Sequence, residues 1–168
     1  DEARATKLLE GACGNDHREA CFDLAQLVLD GDDITARSRG KALLESACEL
    51  GTWRACDHLA MRLQHGDGVA MDQPRAALLY ERACNGGFRF SCTHLGWMLR
   101  DGLGVERDPA RAATLFDTAC SSGETLACAY LGDMLEQGLG VERDAERASA
   151  LKERACRDAW YGACDDAP

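Results

Sequence analysis

Ten cysteines carry the strongest chemical signal in the chain, at Cys13, Cys21, Cys48, Cys56, Cys84, Cys92, Cys120, Cys128, Cys156 and Cys164. They form five pairs with a spacing of eight, and successive pairs lie 35, 36, 36 and 36 residues apart. Cysteine at such density forms disulfides or holds metal. Zinc ligands are usually separated by about two to four residues, so seven intervening residues do not suit. Two Cys2His sets can still be drawn, Cys48 and Cys56 with His58, and Cys84 and Cys92 with His94. The haem signature C-x-x-C-H is absent. Pairing within each C-x7-C uses every cysteine, whereas joining Cys21 to Cys48 and so on strands Cys13 and Cys164. The sequence therefore predicts the bridges Cys13–Cys21, Cys48–Cys56, Cys84–Cys92, Cys120–Cys128 and Cys156–Cys164, with no cofactor and no metal. Each closes a loop of about nine residues, contributing about 2–3 kcal/mol through the entropy of the unfolded chain. Such bridges imply an oxidising compartment.

Catalytic signals are thinner. Ser38-Arg-Gly-Lys41 and Ser149-Ala-Leu-Lys152 both match S-x-x-K, in which a lysine one helical turn away activates a serine for acyl transfer. Neither S-D-N nor K-T-G follows, and the two matches occupy different repeat positions, so both read as solvated helix residues. The four histidines, His17, His58, His65 and His94, assemble no Ser/His/Asp set. The Gly-x-Gly loops lack the lysine of a phosphate-binding loop and are followed by an aspartate that repels phosphate. Chain chemistry thus favours no enzyme.

The 36-residue period reflects a structural unit. Cys92, Leu95, Gly96 and Leu99 fall at offsets 0, 3, 4 and 7, one face of a helix. The same offsets hold Cys21, Leu24, Ala25, Val28; Cys56, Leu59, Ala60, Leu63; and Cys128, Leu131, Gly132, Leu135. This is helix A of each unit. A second apolar face, Ala112, Leu115, Phe116, Ala119, has copies at Ala5, Leu8, Leu9, Ala12 and at Ala76, Leu79, Tyr80, Ala83; this is helix B. Gly102 and Gly104 punctuate the turn between them, Asp108 is placed to cap helix B, and Pro109 suits its first position. Gly51, Gly87 and Gly123 stand where left-handed C-caps belong. Antiparallel helix pairs of about 36 residues, stacked in series, make an all-α fold, an α-solenoid. The predicted organisation is a single solenoid over 1–168: a helix B half repeat at 1–14, full repeats at about 17–50, 52–86, 88–122 and 124–158, and a stub at 159–168. The chain opens on a helix B without its helix A and without an initiator methionine, which predicts a fragment or processed form. Lys152 stands where other units carry an aromatic residue or leucine, as suits a terminal unit with no covering neighbour.

The formal net charge of -10 argues against nucleic acid, and no apolar run approaches the roughly 20 residues that cross a bilayer. What remains variable is a second stripe of helix A, at offsets 2, 5 and 9 from its cysteine. It reads Asp23, Gln26, Asp30; His58, Met61, His65; His94, Trp97, Asp101; and Tyr130, Asp133, Gln137. Packing leaves these positions free, and helix A lines the concave face in related helical-pair solenoids. The stripe is therefore the predicted site for a protein or peptide, with His58, Met61, His65, His94, Trp97, Asp101, Tyr130 and Asp133 as its contact residues. Its acidic rim predicts a partner with basic residues.

The motif G-x-G-V-x-x-D followed by A-x-x-(L/F/Y)-x-x-A-C, at Gly102-Leu-Gly-Val-Glu-Arg-Asp108 with Phe116 and Ala119-Cys120 and again at Gly138 to Asp144, resembles the SEL-1-like repeat (SLR) family. A C-x7-C in every unit resembles its cysteine-rich branch, the Helicobacter cysteine-rich proteins. The resemblance implies a right-handed superhelix and a secreted or periplasmic adaptor. A related mitochondrial assembly factor gives the intermembrane space as the alternative. Descriptions of some branch members imply a penicillin-binding or β-lactamase-like hydrolase as a second reading; a haem or small-molecule carrier is the third.

Overall fold

The structure is a computed structural model and describes residues 2–15, 17–29 and 34–158. Cys164, Asp30, the 31–33 loop and the 159–168 stub of the sequence reading lie outside them. Among the described residues every regular element is a helix: α1 (Glu2–Cys13), α2 (Arg18–Leu29), α3 (Ile34–Glu49), α4 (Trp53–His65), α5 (Gln73–Asn85), α6 (Arg89–Asp101), α7 (Pro109–Ser121), α8 (Thr125–Gln137) and α9 (Ala145–Asp158). Even-numbered helices are the A helices and odd-numbered ones the B helices. Residues 1–88 and 89–168 form two compact units. In the first, α1 to α5 pack in sequence, each on the next; in the second, α6 to α9 do the same.

Local chemistry sets the helix ends. Asp72, Asp108 and Asp144 each accept a hydrogen bond from the backbone N–H three residues on, at Arg75, Arg111 and Arg147, which satisfies one orphan donor of the helix start. Gly51, Gly87 and Gly123 adopt φ of 91°, 91° and 89°, and the N–H of each donates to the carbonyl of the helix B cysteine three residues before it, Cys48, Cys84 and Cys120. The first full repeat differs. There α3 runs 16 residues against 13 for α5 and α7, because Ala36 replaces the capping aspartate and no proline fixes the start. With no local stop signal the helix continues back to Ile34.

The core is the predicted stripe. Cys21, Leu24 and Ala25 of α2, Cys56, Leu59, Ala60 and Leu63 of α4, Cys92, Leu95 and Leu99 of α6, and Cys128, Leu131 and Leu135 of α8 are all buried. Small residues set the helix approach: a methyl group at Gly96 would lie 2.8 Å from Cε1 of Phe116. The second glycine of the α8–α9 loop, Gly140, lies against the Pro109–Ala110 backbone so closely that any side chain would overlap it. Glycine is thus required by proximity as well as by its φ of 71°.

In two repeats a polar pair joins the helix B core position to helix A. Tyr80, fully buried, donates its hydroxyl hydrogen to Oε1 of buried Gln64 at 2.9 Å. Burial pushes the phenol of Tyr80 well above its ordinary value. Two repeats on, Lys152 occupies the Tyr80 position and Glu136 the Gln64 position, and they meet at 2.8 Å. The Lys152 stem lies over Gly132 and its ammonium is held by α8 of the same repeat, while the side chain stays partly exposed where Tyr80 and Phe116 are fully buried. Arginines at the B-helix starts reach acids on the preceding B helix, Arg39 to Glu10, Arg75 to Glu45 at 2.7 Å and Arg147 to Asp117 at 2.5 Å. These exposed pairs align the stack more than they stabilise it.

Candidate partner-binding face

The cysteines are structural. Cys13 is bonded to Cys21, Cys48 to Cys56 and Cys120 to Cys128, with Cα–Cα distances of 4.6–4.7 Å across the tight turn from helix B to the next helix A. Cys84, Cys92 and Cys156 are also disulfide-bonded, and no described cysteine is free. The sulfurs drawn beside His58 and His94 are therefore committed to bridges and offer no thiolate ligand.

The S-x-x-K pairs are not arranged for acyl transfer. Ser149 Oγ lies 3.3 Å from Oε1 of Glu153. The Lys152 ammonium is bound by Asp133 and Glu136, both at 2.8 Å. Those two hydrogen bonds, Asp133 first, raise the Lys152 pKa well above the usual lysine range, the opposite of what a general base at neutral pH requires. Lys41 lies 3.9 Å from Glu45, and Ser38 is exposed on the flank of α3.

The variable stripe of helix A is accessible in both units. None of its eight predicted contact residues is buried: Met61, His65 and Asp101 are exposed, and His58, His94, Trp97, Tyr130 and Asp133 are partly exposed. Asp23 and Gln137 of the wider stripe are exposed and Gln26 partly so.

In the first unit the stripe is anchored by an A-to-A contact. Gln26 of α2 and Nδ1 of His58 on α4 are 3.2 Å apart; the Gln26 amide donates, so neutral His58 accepts at Nδ1. Phe22 meets the His58 ring edge-on at 5.2 Å, and the Arg54 guanidinium lies 5.6 Å from the Phe22 centroid. Burial lowers the His58 pKa below the usual imidazole value, opposed by the neighbouring Asp57 carboxylate and reinforced by Arg62 and Arg54. Met61 and His65 follow on α4, one and two turns further along this face.

In the second unit Tyr130 is held between two other groups. Its ring lies 5.2 Å from that of buried Phe116, and the Arg100 guanidinium is 5.3 Å from its centroid. Arg100 also grips Asp101 through two hydrogen bonds, 2.7 Å from Nε and 2.8 Å from Nη2. This grip holds the Asp101 carboxyl below the usual carboxylate range. Asp133 is taken by Lys152 at 2.8 Å. The predicted acidic rim thus changes character, because Asp101 and Asp133 each have a cation of the same unit in contact. Trp97 lies one turn before Arg100 and Asp101 on α6.

Sequence reasoning missed Arg100, Glu136 and Lys152 as parts of this face. Lys152 had a signal, a cation at a core offset, whose partner follows from asking which A-helix residue stands across from Tyr80 in the earlier repeat. Arg100 had none, since adjacent residues on a helix do not normally face each other.

A family model for the Sel1 repeat matches residues 18–52, 53–88, 90–124 and 125–158. Among solved structures, a protective antigen of uropathogenic Escherichia coli with an SLR fold superposes with a TM-score of 0.86 at 27% identity over 94% of this chain and 34% of its own. A Sel1 repeat protein from Oxalobacter formigenes gives 0.82 at 25% over 94% and 65%. Cysteine rich protein B of Helicobacter pylori gives 0.63 at 27% over 78% and 95%. The chain therefore spans about a third of the length of the first and just under two thirds of the second. The curated proteins yield no match. With four repeat matches covering most of its length and an all-helical, disulfide-bridged α-solenoid fold, the chain belongs to the Sel1 repeat family, whose repeats generally mediate protein–protein interaction.

Proposed function

We propose that the protein is an interaction module of an oxidising extracytoplasmic space, secreted or periplasmic, and that a partner protein or peptide docks on its A helices. The observation that carries this reading is the contrast between two stripes of one helix. Offsets 0, 3, 4 and 7 keep one kind of residue and are mostly buried, while offsets 2, 5 and 9 carry a different combination in each repeat and their described members stay accessible. Packing explains the first stripe and the seating of the Tyr130 ring on Phe116, whereas the repeat pattern does not itself call for Trp97 or for the changing residues of the second stripe. Trp97 and Tyr130 form the centre of the docking face in the second unit, with His94, Asp101 and Asp133 around them. His58, Met61 and His65 form the corresponding face in the first. The bridges support the compartment, since disulfides at this density persist outside reducing cytoplasm; the similarity to the Helicobacter protein points the same way.

The test uses the purified chain as bait in native extract of the source cell envelope, with bound proteins quantified by mass spectrometry against two variants. Trp97→Ala should deplete specific partners while far-ultraviolet circular dichroism stays unchanged. Thr114→Ala, on an exposed face of helix B, should retain them. Retention by Trp97→Ala together with loss in Thr114→Ala would move the site to the B helices.

A further inference from the structure

The charges around Trp97 and Tyr130 indicate what kind of partner this face takes. Three carboxylates and two cations are present, and each is engaged: Asp101 with Arg100, and Asp133 and Glu136 with Lys152. Arg107 adds a further cation whose Nε donates to the Arg100 carbonyl at 2.9 Å, close enough to influence Asp101. These six groups carry no net charge among themselves, and Arg143 adds one further cation that acts on Glu136, so no excess of negative charge gathers here although the whole chain carries -10. At physiological salt, charges beyond about 8 Å are largely screened, so the local balance governs a docked segment.

We propose, on the reading that this face is the docking site, that its partner segment is uncharged and anchored by an apolar or aromatic side chain against Trp97 and Tyr130. A lysine or arginine brought here would lose hydration and find each carboxylate already bonded to a cation of the protein. At Asp101 both carboxylate oxygens are already held by the guanidinium; at Asp133 and Glu136 one oxygen each is held by Lys152, so an incoming cation would gain less attraction there than at an unpaired acid. An incoming carboxylate meets the same obstacle at Arg100 and Lys152. An apolar side chain displaces only water from the exposed part of the two rings and leaves the ion pairs intact. The paired charges therefore favour a neutral segment, because they leave a charged competitor little net attraction to offset the hydration it loses. This proposal differs from the basic partner expected from the sequence, which counts Asp23, Asp30, Asp101 and Asp133 as an acidic rim.

Selection of random twelve-residue peptides displayed on phage, panned against the disulfide-intact chain and counter-selected on Trp97→Ala, tests the proposal. The result expected is a family of peptides with an aromatic or large aliphatic residue and no net charge. Their dissociation constants should change by less than about twofold between low and high salt. Enrichment of lysine and arginine, or of aspartate and glutamate, with affinity falling severalfold as salt rises, overturns the neutral-partner proposal while leaving the docking face in place. Failure to recover any peptide that distinguishes the chain from Trp97→Ala overturns the docking face itself.

Discussion

Replacing Tyr80 by phenylalanine tests whether polar pairs between helices A and B are part of what holds each repeat. Tyr80 is fully buried, Gln64 is 4% exposed, and the hydroxyl donates to the Gln64 carbonyl oxygen at 2.9 Å. The ring is retained in Tyr80→Phe, so apolar burial hardly changes. The loss is the donor, and the Gln64 oxygen is left buried without it. An acceptor stranded in this way costs about 1–3 kcal/mol, whereas removing both partners with shape preserved is close to neutral. The repeat supplies its own precedent, since the equivalent position in the next unit is Phe116, opposite Arg100 rather than glutamine. Tyr80→Phe should therefore lower stability by about 1–3 kcal/mol, and Tyr80→Phe with Gln64→Leu should recover most of that loss. Urea unfolding followed by circular dichroism, with the disulfides intact, gives the midpoint and slope for all four proteins of the cycle. Equal slopes with a shifted midpoint would assign the change to stability. A Tyr80→Phe midpoint indistinguishable from wild type, or a double variant that simply adds the two single losses, would refute the argument.

Gly96→Ala places a methyl 2.8 Å from the buried Phe116 ring; overpacking should cost about 1–3 kcal/mol, read as a lowered thermal midpoint, and a change under about 0.5 kcal/mol would be inconsistent with so close an approach. The Lys152 ammonium has its folded-state pKa raised by hydrogen bonds to Asp133 and Glu136. Its stabilising contribution is then fully present below the unfolded lysine value of about 10.4 and lost as pH climbs through the folded value. Wild type should show a steeper alkaline loss of stability than Lys152→Met in urea titrations from neutral pH upward; identical slopes would contradict the pairing. The double variant Cys48→Ser, Cys56→Ser opens one bridge whose cysteines are eight residues apart and should lose about 2–3 kcal/mol by the chain-entropy account; an unchanged urea midpoint would show that the turn closes without it.

The architecture is legible in the sequence because it repeats. A single C-x7-C would be ambiguous, but five of them in register with Leu95-Gly96 and its copies, and with Asp72, Asp108 and Asp144 before three B helices, leave one arrangement of helices. The capping bonds to Arg75, Arg111 and Arg147 follow from residue type and position alone. The candidate face was only half legible. Periodicity identifies which positions point away from the packing stripe, and all eight contact residues are accessible. It does not reveal which charges cancel. Asp133 meets a lysine 19 positions later, on the next helix, and Tyr130 meets Arg100 from an earlier one; such pairings depend on side-chain reach across helices. The extended start of α3 at Ile34 was missed for a different reason, the absence of a stop signal where other repeats carry an aspartate.

Site-specific photo-crosslinking tests the central claim most directly. A benzophenone amino acid at position 97 and, separately, at position 114 probes the A-helix and B-helix faces, each in the disulfide-bonded chain exposed to its native envelope extract. The account predicts an ultraviolet-dependent adduct of defined mass from position 97, suppressed by excess unlabelled wild-type protein, and none from position 114. A defined adduct from position 114 with none from position 97 would contradict it.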